Sequence, residues 1–458
     1  MLGATRRSEP LDVPRVARHT VPVPVRARGI FFSVVAVLLV AGVAPRVQAA
    51  LEPEARAASA VRRPAPSSQA AERAVADSHV RPRWKRRIDR LIEGRSVGVA
   101  VHLDGSVLYE RAAKRSRIPA SNQKLLASMV LLEAFEPGQR IGTLAAASAP
   151  VAGVVTGNIW ILGRGDPTFS GGGTYGKSLT FPATRVGKLA AAIKAAGITR
   201  VTGSVMGGIG YFEHDWWAKG WKDYFPSRYI ALPSALAFNG NTAGGRHVAD
   251  PERRAARALT KKLRASGIVV EGPSGAGSPP AGLAEVARVE SAPMETLLRY
   301  MNRRSSNFFA EVLGKRAGVA RAGAPGTIAK GARAAEAYAS ARQVSLVAHD
   351  ASGLSYANRV SARGLTRLLD DAEEQPWGDV LRRTLPTGGQ GTLEDRLRGA
   401  RVRAKTGTLV GHSGLSGYVW LERRGEWASF SIISSGMDKS RAAAIEDEIV
   451  RLLEERAR

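Results

Sequence analysis

Ser121 and Lys124 stand three positions apart in Ser121-Asn122-Gln123-Lys124, and together they offer chemistry that neither residue offers alone. A serine hydroxyl attacks a carbonyl poorly until a base takes its proton. Positions i and i+3 share one face of a helix, so a helix opening at Ser121 sets the Lys124 amine beside the hydroxyl. The amine is a base only when neutral, a state favoured by burial and by a second ammonium nearby. Lys405, in Lys405-Thr406-Gly407, is the expected second charge. A third run, Ser305-Ser306-Asn307, completes the set. Ser305 is expected in a break between helices, relaying a proton between Lys124 and a leaving amine. Asn307 offers a donor and an acceptor to a peptide backbone. Thr406 and Thr408 would hydrogen-bond a terminal carboxylate, and Gly407, lacking Cβ, would let a substrate strand come close. The backbone N–H groups of Ser121 and Thr408 are the expected oxyanion hole. The catalytic set is therefore Ser121, Lys124 and Ser305, and the binding set is Asn307, Lys405, Thr406, Gly407 and Thr408. No metal or cofactor is expected.

The surrounding elements must bring these stretches together. Ser96 to Leu103 and Val107 to Glu110 flank Asp104-Gly105 and predict a β-hairpin. After Pro119-Ala120-Ser121, apolar residues at Leu125, Leu126, Met129 and Leu132 predict a helix with one buried face. Pro293 to Met301 reads as a helix, Arg303 to Ser306 as a break, and a second helix starts near Phe308. Arg401 to Leu409, Gly414 to Glu422 and Trp427 to Ser434 predict an antiparallel meander, followed by a final helix from Lys439. Between them lies a long mixed region with a strand over Asn158 to Leu162 and helices over Arg185 to Ala196 and Pro251 to Ser266. The first and last elements would share a sheet and its helical cover while the middle bulges out.

With these residues in this order, the chain resembles the penicillin-binding serine D,D-peptidases of the penicillin-binding protein 4 type. The resemblance runs from about Val97 to the C-terminal helix. It includes Pro119 to Leu126, Gly163 to Pro167 (GRGDP), Ser234 to Leu236 with Asn239 and Asn241, and Asp350 to Ser355 (DASGLS). Gly391 to Leu393, Lys405 to Val410 and Leu415 to Val419 also match. It implies an α+β fold, a penicillin-binding/β-lactamase-like transpeptidase domain whose antiparallel sheet is covered by helices, carrying a large inserted mixed α/β region. It also implies a serine D,D-carboxypeptidase and endopeptidase acting on peptidoglycan stem peptides ending in D-Ala-D-Ala, acylated at Ser121 and inhibited covalently by β-lactams. Serine β-lactamases resemble the chain less, because the segment corresponding to Lys124–Ser305 is short in them. Two positions depart from the family: Ser306 stands where Asp is common, and His412 where the family is apolar. The latter is read as structural. A non-catalytic wall-binding protein with the same fold is the alternative.

Composition narrows the rest. The absence of cysteine excludes thiol catalysis, disulfides and thiolate metal sites, and the seven histidines fall in no close ligand spacing. The net charge of +27 favours polyanions, but no nucleic-acid-binding signature accompanies it, and Arg and Ala enrichment throughout the chain accounts for it. A basic stretch leads into an apolar run over residues 29–44 and then Val47-Gln48-Ala49, which predicts a leader cleaved near Ala49 and an extracytoplasmic protein in the periplasm or cell wall. The competing reading is a retained membrane anchor. The expected division is a leader or anchor over residues 1–49, a linker over 50–83, a peptidase domain from 84–140 and 288–458, and an insertion over 141–287. Gly171 to Ser178 (GGGTYGKS) matches a phosphate-binding loop pattern. The mechanism of such a loop needs a helix starting at Gly-Lys-Ser, which Pro182 would break, so a surface loop is expected there.

Overall fold

The computed structural model describes residues 82–456. The expected leader or anchor and all but the last two residues of the expected linker lie outside the described residues. In chain order the elements that matter are α1 (Arg83–Ile92), β1 (Ser96–Leu103), β2 (Ser106–Arg111) and α2 (Gln123–Ala134). Next come β3 (Gly142–Ala147), β4 (Ile159–Leu162), α3 (Val186–Ala195), β5 (Val205–Gly208), α4 (Pro251–Ala265), β6 (Gly275–Gly277) and β7 (Ala284–Glu290). The last group is α5 (Met294–Arg304), α6 (Asn307–Ala322), α7 (Ile328–Ala341), α8 (Ala362–Glu374), β8 (Val402–Leu409), β9 (His412–Leu421), β10 (Glu426–Ser435) and α9 (Lys439–Arg456).

The main sheet has the order β8-β9-β10-β1-β2 and is antiparallel throughout. β1 pairs with β10 from Ser96↔Ser435 to His102↔Ser429, so the chain's first strand closes on its last hairpin. Asp104 and Gly105 both take positive φ at the β1–β2 turn, at 48° and 71°, which is why a DG pair stands there. Successive strand residues point to opposite faces, and both faces are covered. Ile432 packs with Trp84, Ile88 and Ile92 of α1 and Ile449 and Leu453 of α9. Its neighbour Ile433 packs instead with Leu125 and Met129 of α2, Leu313 of α6 and Leu365 of α8. The apolar residues of α1 recur every fourth position, and burying each side chain contributes roughly 1.5–3 kcal/mol.

Residues 142–290 build a second five-stranded sheet of order β6-β5-β4-β3-β7. Its outer pair, β3 and β7, is antiparallel with Gly142 opposite Glu290. Gly163 and the Ala235 backbone lie so close that a Cβ on Gly163 would fall 2.3 Å from the Ala235 carbonyl oxygen, so two of the short family runs pack on one another. The expected surface loop over Gly171 to Ser178 differs: Gly173–Ser178 is a six-residue helix, held by the Tyr175 hydroxyl donating to the Pro167 carbonyl at 2.6 Å. This helix ends at Gly-Lys-Ser, whereas phosphate binding needs one that begins there. Among the described residues no helix is long and apolar enough to cross a membrane.

Candidate active site

The run expected to open a helix at Ser121 does so through a tighter turn. Residues Ala120–Asn122 form a 3₁₀ turn and the α-helix begins at Gln123. Ser121 in this turn and Lys124 in the first turn of the helix remain i and i+3 on one face, which brings the Lys124 Nζ to 3.1 Å from Ser121 Oγ. Asn122 pins this turn to the sheet: it is wholly buried and donates from Nδ2 to Ser416 Oγ at 3.2 Å.

The break between α5 and α6 is narrower than expected, only Ser305 and Ser306. Ser305 takes the left-handed conformation (φ 52°, ψ 37°), a costly state for a residue with a side chain. Ser306 caps α6 by accepting from Phe309 N at 3.3 Å. Ser and Asp are both good N-caps, so the departure from the family at Ser306 leaves the local structure intact. Asn307 opens α6, accepts from Lys124 Nζ at 2.9 Å and donates from Nδ2 to the Tyr229 carbonyl at 3.1 Å.

β8 is one of the two edge strands of the main sheet. Lys405 is fully buried and donates to Ser305 Oγ at 2.9 Å and to the Thr406 carbonyl at 2.8 Å. Thr406 donates to Thr392 Oγ1 at 2.8 Å, while Thr408 is exposed toward the cleft. Gly407 has a reason other than substrate approach. A Cβ there would meet the Pro119 carbonyl oxygen at 2.7 Å, Ala120 Cβ at 3.2 Å and Ser121 N at 3.3 Å. The missing side chain lets the strand lie directly on the turn that carries Ser121.

Two expectations about partners change. Lys124 bonds to Asn307 and, at 2.5 Å, to the Ser352 carbonyl. Ser305 is held by Lys405, and so is not placed as a relay bonded to Lys124. The second change is electrostatic. Burial brings Lys124 down to about 8, against the pull of the Asp350 and Glu311 carboxylates. Lys405 falls well below the ordinary lysine range through burial, with the Lys124 and Lys439 ammoniums pushing the same way. The second charge therefore leaves its mark on Lys405, and burial accounts for Lys124.

These residues line one cleft of about 760 Å³, with Ser121, Ser305, Asn307, Thr406 and Thr408 around its floor. Tyr224, Tyr229 and Tyr356 form an aromatic wall, and His412 lies beside Tyr356 with its ring centroid 5.9 Å away. Burial lowers His412, and Arg359 adds to this. Sequence reasoning assigned no role to Glu311, Asp350, Ser352, Thr392 or Lys439. The DASGLS and GTL runs pointed to three of them. Glu311, an acid one turn beyond Asn307 on a largely buried helix, offered its own signal.

A model of the D-Ala-D-Ala carboxypeptidase 3 (S13) family matches residues 86–246 and 239–456. A D-alanyl-D-alanine carboxypeptidase of Actinomadura sp. is 29% identical, covering 80% of this chain and 82% of that protein. A carboxypeptidase of Mycobacterium tuberculosis is 30% identical over 73% of this chain and 74% of its own length. The crystal structure of penicillin binding protein 4 from Haemophilus influenzae superposes with a TM-score of 0.66 at 20% identity, covering 79% of this chain and 97% of that one, which shows the common fold. With the family model spanning nearly all the described residues, the chain belongs to the D-Ala-D-Ala carboxypeptidase 3 (S13) family and is a serine-type D-alanyl-D-alanine carboxypeptidase.

Proposed function

We propose that this carboxypeptidase acts on peptidoglycan stem peptides outside the cytoplasm through an acyl-enzyme at Ser121, and that the same serine is acylated by β-lactams. The observation that carries this reading is the Lys124 amine, wholly buried, brought down to about 8, and 3.1 Å from Ser121 Oγ at the base of the cleft. Lys124 takes the hydroxyl proton as Oγ attacks the carbonyl of the penultimate D-alanine. The developing oxyanion sits against the backbone N–H groups of Ser121 and Thr408. The C–N bond then breaks as the proton that Lys124 took passes through the hydroxyl of Ser305, held by Lys405, to the departing amine, which leaves Lys124 neutral again. Water, deprotonated by Lys124, hydrolyses the ester and restores Ser121. Thr406 and Thr408 receive the terminal carboxylate, Asn307 and the β8 edge receive the peptide backbone, and Lys405 and Gly407 hold this wall in place.

We assign the peptidase domain to residues 84–140 and 288–458 and read 141–287 as an insertion. Its Tyr224 and Tyr229 would bear on whether carboxypeptidase or endopeptidase action dominates. An apolar leader or anchor over residues 29–44 accords with export. The decisive test is labelling by a fluorescent penicillin, followed by mass spectrometry of the adduct. Covalent label on the wild-type protein and none on Ser121→Ala is expected. Equal labelling of both proteins, or no label on either, would overturn the acyl-enzyme.

A further inference from the structure

A neutral amine has two N–H bonds and one lone pair, and the Lys124 Nζ has three neighbours: Ser121 Oγ at 3.1 Å, Asn307 Oδ1 at 2.9 Å and the Ser352 carbonyl at 2.5 Å. The last two can only accept. When each receives an N–H, the lone pair is left facing Ser121, the one neighbour with a proton to give. The direction of the base thus depends on what holds the two acceptors.

Both are held from α6. Asn307 is its first residue, and Glu311, one turn later and 1% exposed, accepts from Ala351 N at 3.0 Å and Ser352 N at 2.7 Å through a single oxygen, Oε1. The loop it grips is wedged on both sides. A Cβ on Gly353 would fall 1.9 Å from the Ala120 carbonyl oxygen, and one on Gly314 of α6 would fall 2.5 Å from Ala351 Cβ. Asp350 organises the rest of the loop, accepting from Gly353 N at 3.0 Å, Ser355 N at 2.8 Å, Asn358 Nδ2 at 2.7 Å and Trp221 Nε1 at 2.8 Å.

We propose that Glu311 is a positioning residue for acylation: it clamps the Ala351 and Ser352 peptides so that the Ser352 carbonyl binds the Lys124 amine and leaves its lone pair for the Ser121 proton. This rests on the reading of Ser121 as nucleophile and Lys124 as base. Glu311 touches no reacting atom. Its task needs a correctly placed acceptor oxygen and not a negative charge. Burial, with Asp350 nearby, brings Glu311 up to about 8, and a protonated carboxyl still presents a carbonyl oxygen to both N–H groups.

Two conservative variants separate geometry from charge. Glu311→Gln keeps the chain length and the acceptor while removing the charge. Glu311→Asp keeps the charge and withdraws the oxygen by one methylene. The measurement is stopped-flow acylation by a fluorescent penicillin, resolved into the dissociation constant of the pre-covalent complex and the rate constant of acylation. Glu311→Gln is expected to acylate within about threefold of the wild type, whereas Glu311→Asp loses at least about tenfold in the rate constant with the dissociation constant unchanged within about threefold. The reverse order, no loss in either variant, a comparable loss in both, or a loss carried by the dissociation constant overturns the proposal. Ser121→Ala run alongside keeps the cases apart: if it still takes label, the nucleophile assignment fails, whatever the Glu311 variants do.

Discussion

Two buried polar clusters rest on the main sheet and treat charge in opposite ways. On β1, His102 places Nδ1 2.7 Å from Asp370 and Nε2 3.2 Å from Glu110, while Arg363 closes on Glu110 and Ser429 donates to Asp370. With a carboxylate at each ring nitrogen, the imidazolium form is the one satisfied. Burial alone would lower the His102 pKa, but the bonds to Asp370 and Glu110 prevail and raise it. On β8, Lys405 meets hydroxyl and carbonyl oxygens but no carboxylate, and its pKa falls. The paired cluster ties sheet to helix, whereas the unpaired amines give up stability to hold a neutral fraction that can accept a proton near neutral pH.

The contrast breaks first at Lys124. Lys124→Met is expected to slow penicillin acylation by about 10²–10⁴-fold, the range for loss of a positioned base. Holding the amine at about 8 against an ordinary 10.5 costs roughly 3 kcal/mol at neutral pH, partly offset by the two acceptors that the substitution would orphan. The melting temperature of Lys124→Met should therefore equal or exceed that of the wild type, and a clear fall would contradict the comparison. His102→Ala should do the reverse. It removes the cation shared by two carboxylates, which keep only Arg363 and Ser429, and should remove about 2–3 kcal/mol in denaturant unfolding, with acylation unchanged within about twofold.

pH sharpens the same contrast. The folded pKa of His102 is raised, so its contribution is complete below the unfolded value of 6.5 and fades as pH rises through the higher folded value. The stability gap between wild type and His102→Ala should narrow over that interval. The folded pKa of Lys124 is lowered, so its penalty is complete below about 8 and lifts as pH climbs from there toward 10.5. Over that second interval the wild type should gain on Lys124→Met, and the acid limb of the acylation rate should have its midpoint near 8. Parallel pH curves for wild type and both variants would contradict the opposed signs. The smallest effect belongs to Lys177→Ala, at an exposed position on the six-residue helix, where turnover should be unchanged and neither protein should bind a nucleoside triphosphate in calorimetry.

Much of the scaffold was legible in the amino-acid sequence because its signals are local. The Asp104-Gly105 turn, the period of Leu125 to Leu132 and the alternation in the last three strands each follow from a short window. The three short runs named the side chains that meet in the cleft. The sequence hid what depends on contact between distant backbones. The reason for Gly407 lies in the Pro119 carbonyl, the fixing of Lys124 lies in a carbonyl at Ser352, and the choice of Lys405 as the partner of Ser305 lies in the turn of a strand. A carbonyl oxygen is common to every residue type and leaves no trace in a motif. A loop is expected over Gly171 to Ser178 because Pro182 would break a helix starting at Gly-Lys-Ser, but the helix over Gly173–Ser178 ends before that proline and is held by Tyr175 reaching back to Pro167.

The paired strands β3 and β7 place Ile141 and Ser291 in direct contact, with Ser291 N donating to the Ile141 carbonyl at 3.0 Å and Ile141 N to Ser291 Oγ at 2.9 Å. The excursion between them leaves and rejoins the scaffold through one narrow doorway. Because closing a loop grows more expensive only slowly with its length, the chain entropy of that closure would change little if parts of the excursion away from the cleft were lengthened or shortened. Residues beyond the doorway that reach the cleft are not so free: Trp221 Nε1 donates to Asp350 and the Tyr229 carbonyl accepts from Asn307 Nδ2, so a displacement of either is felt by the hydroxyl and amines on the near side.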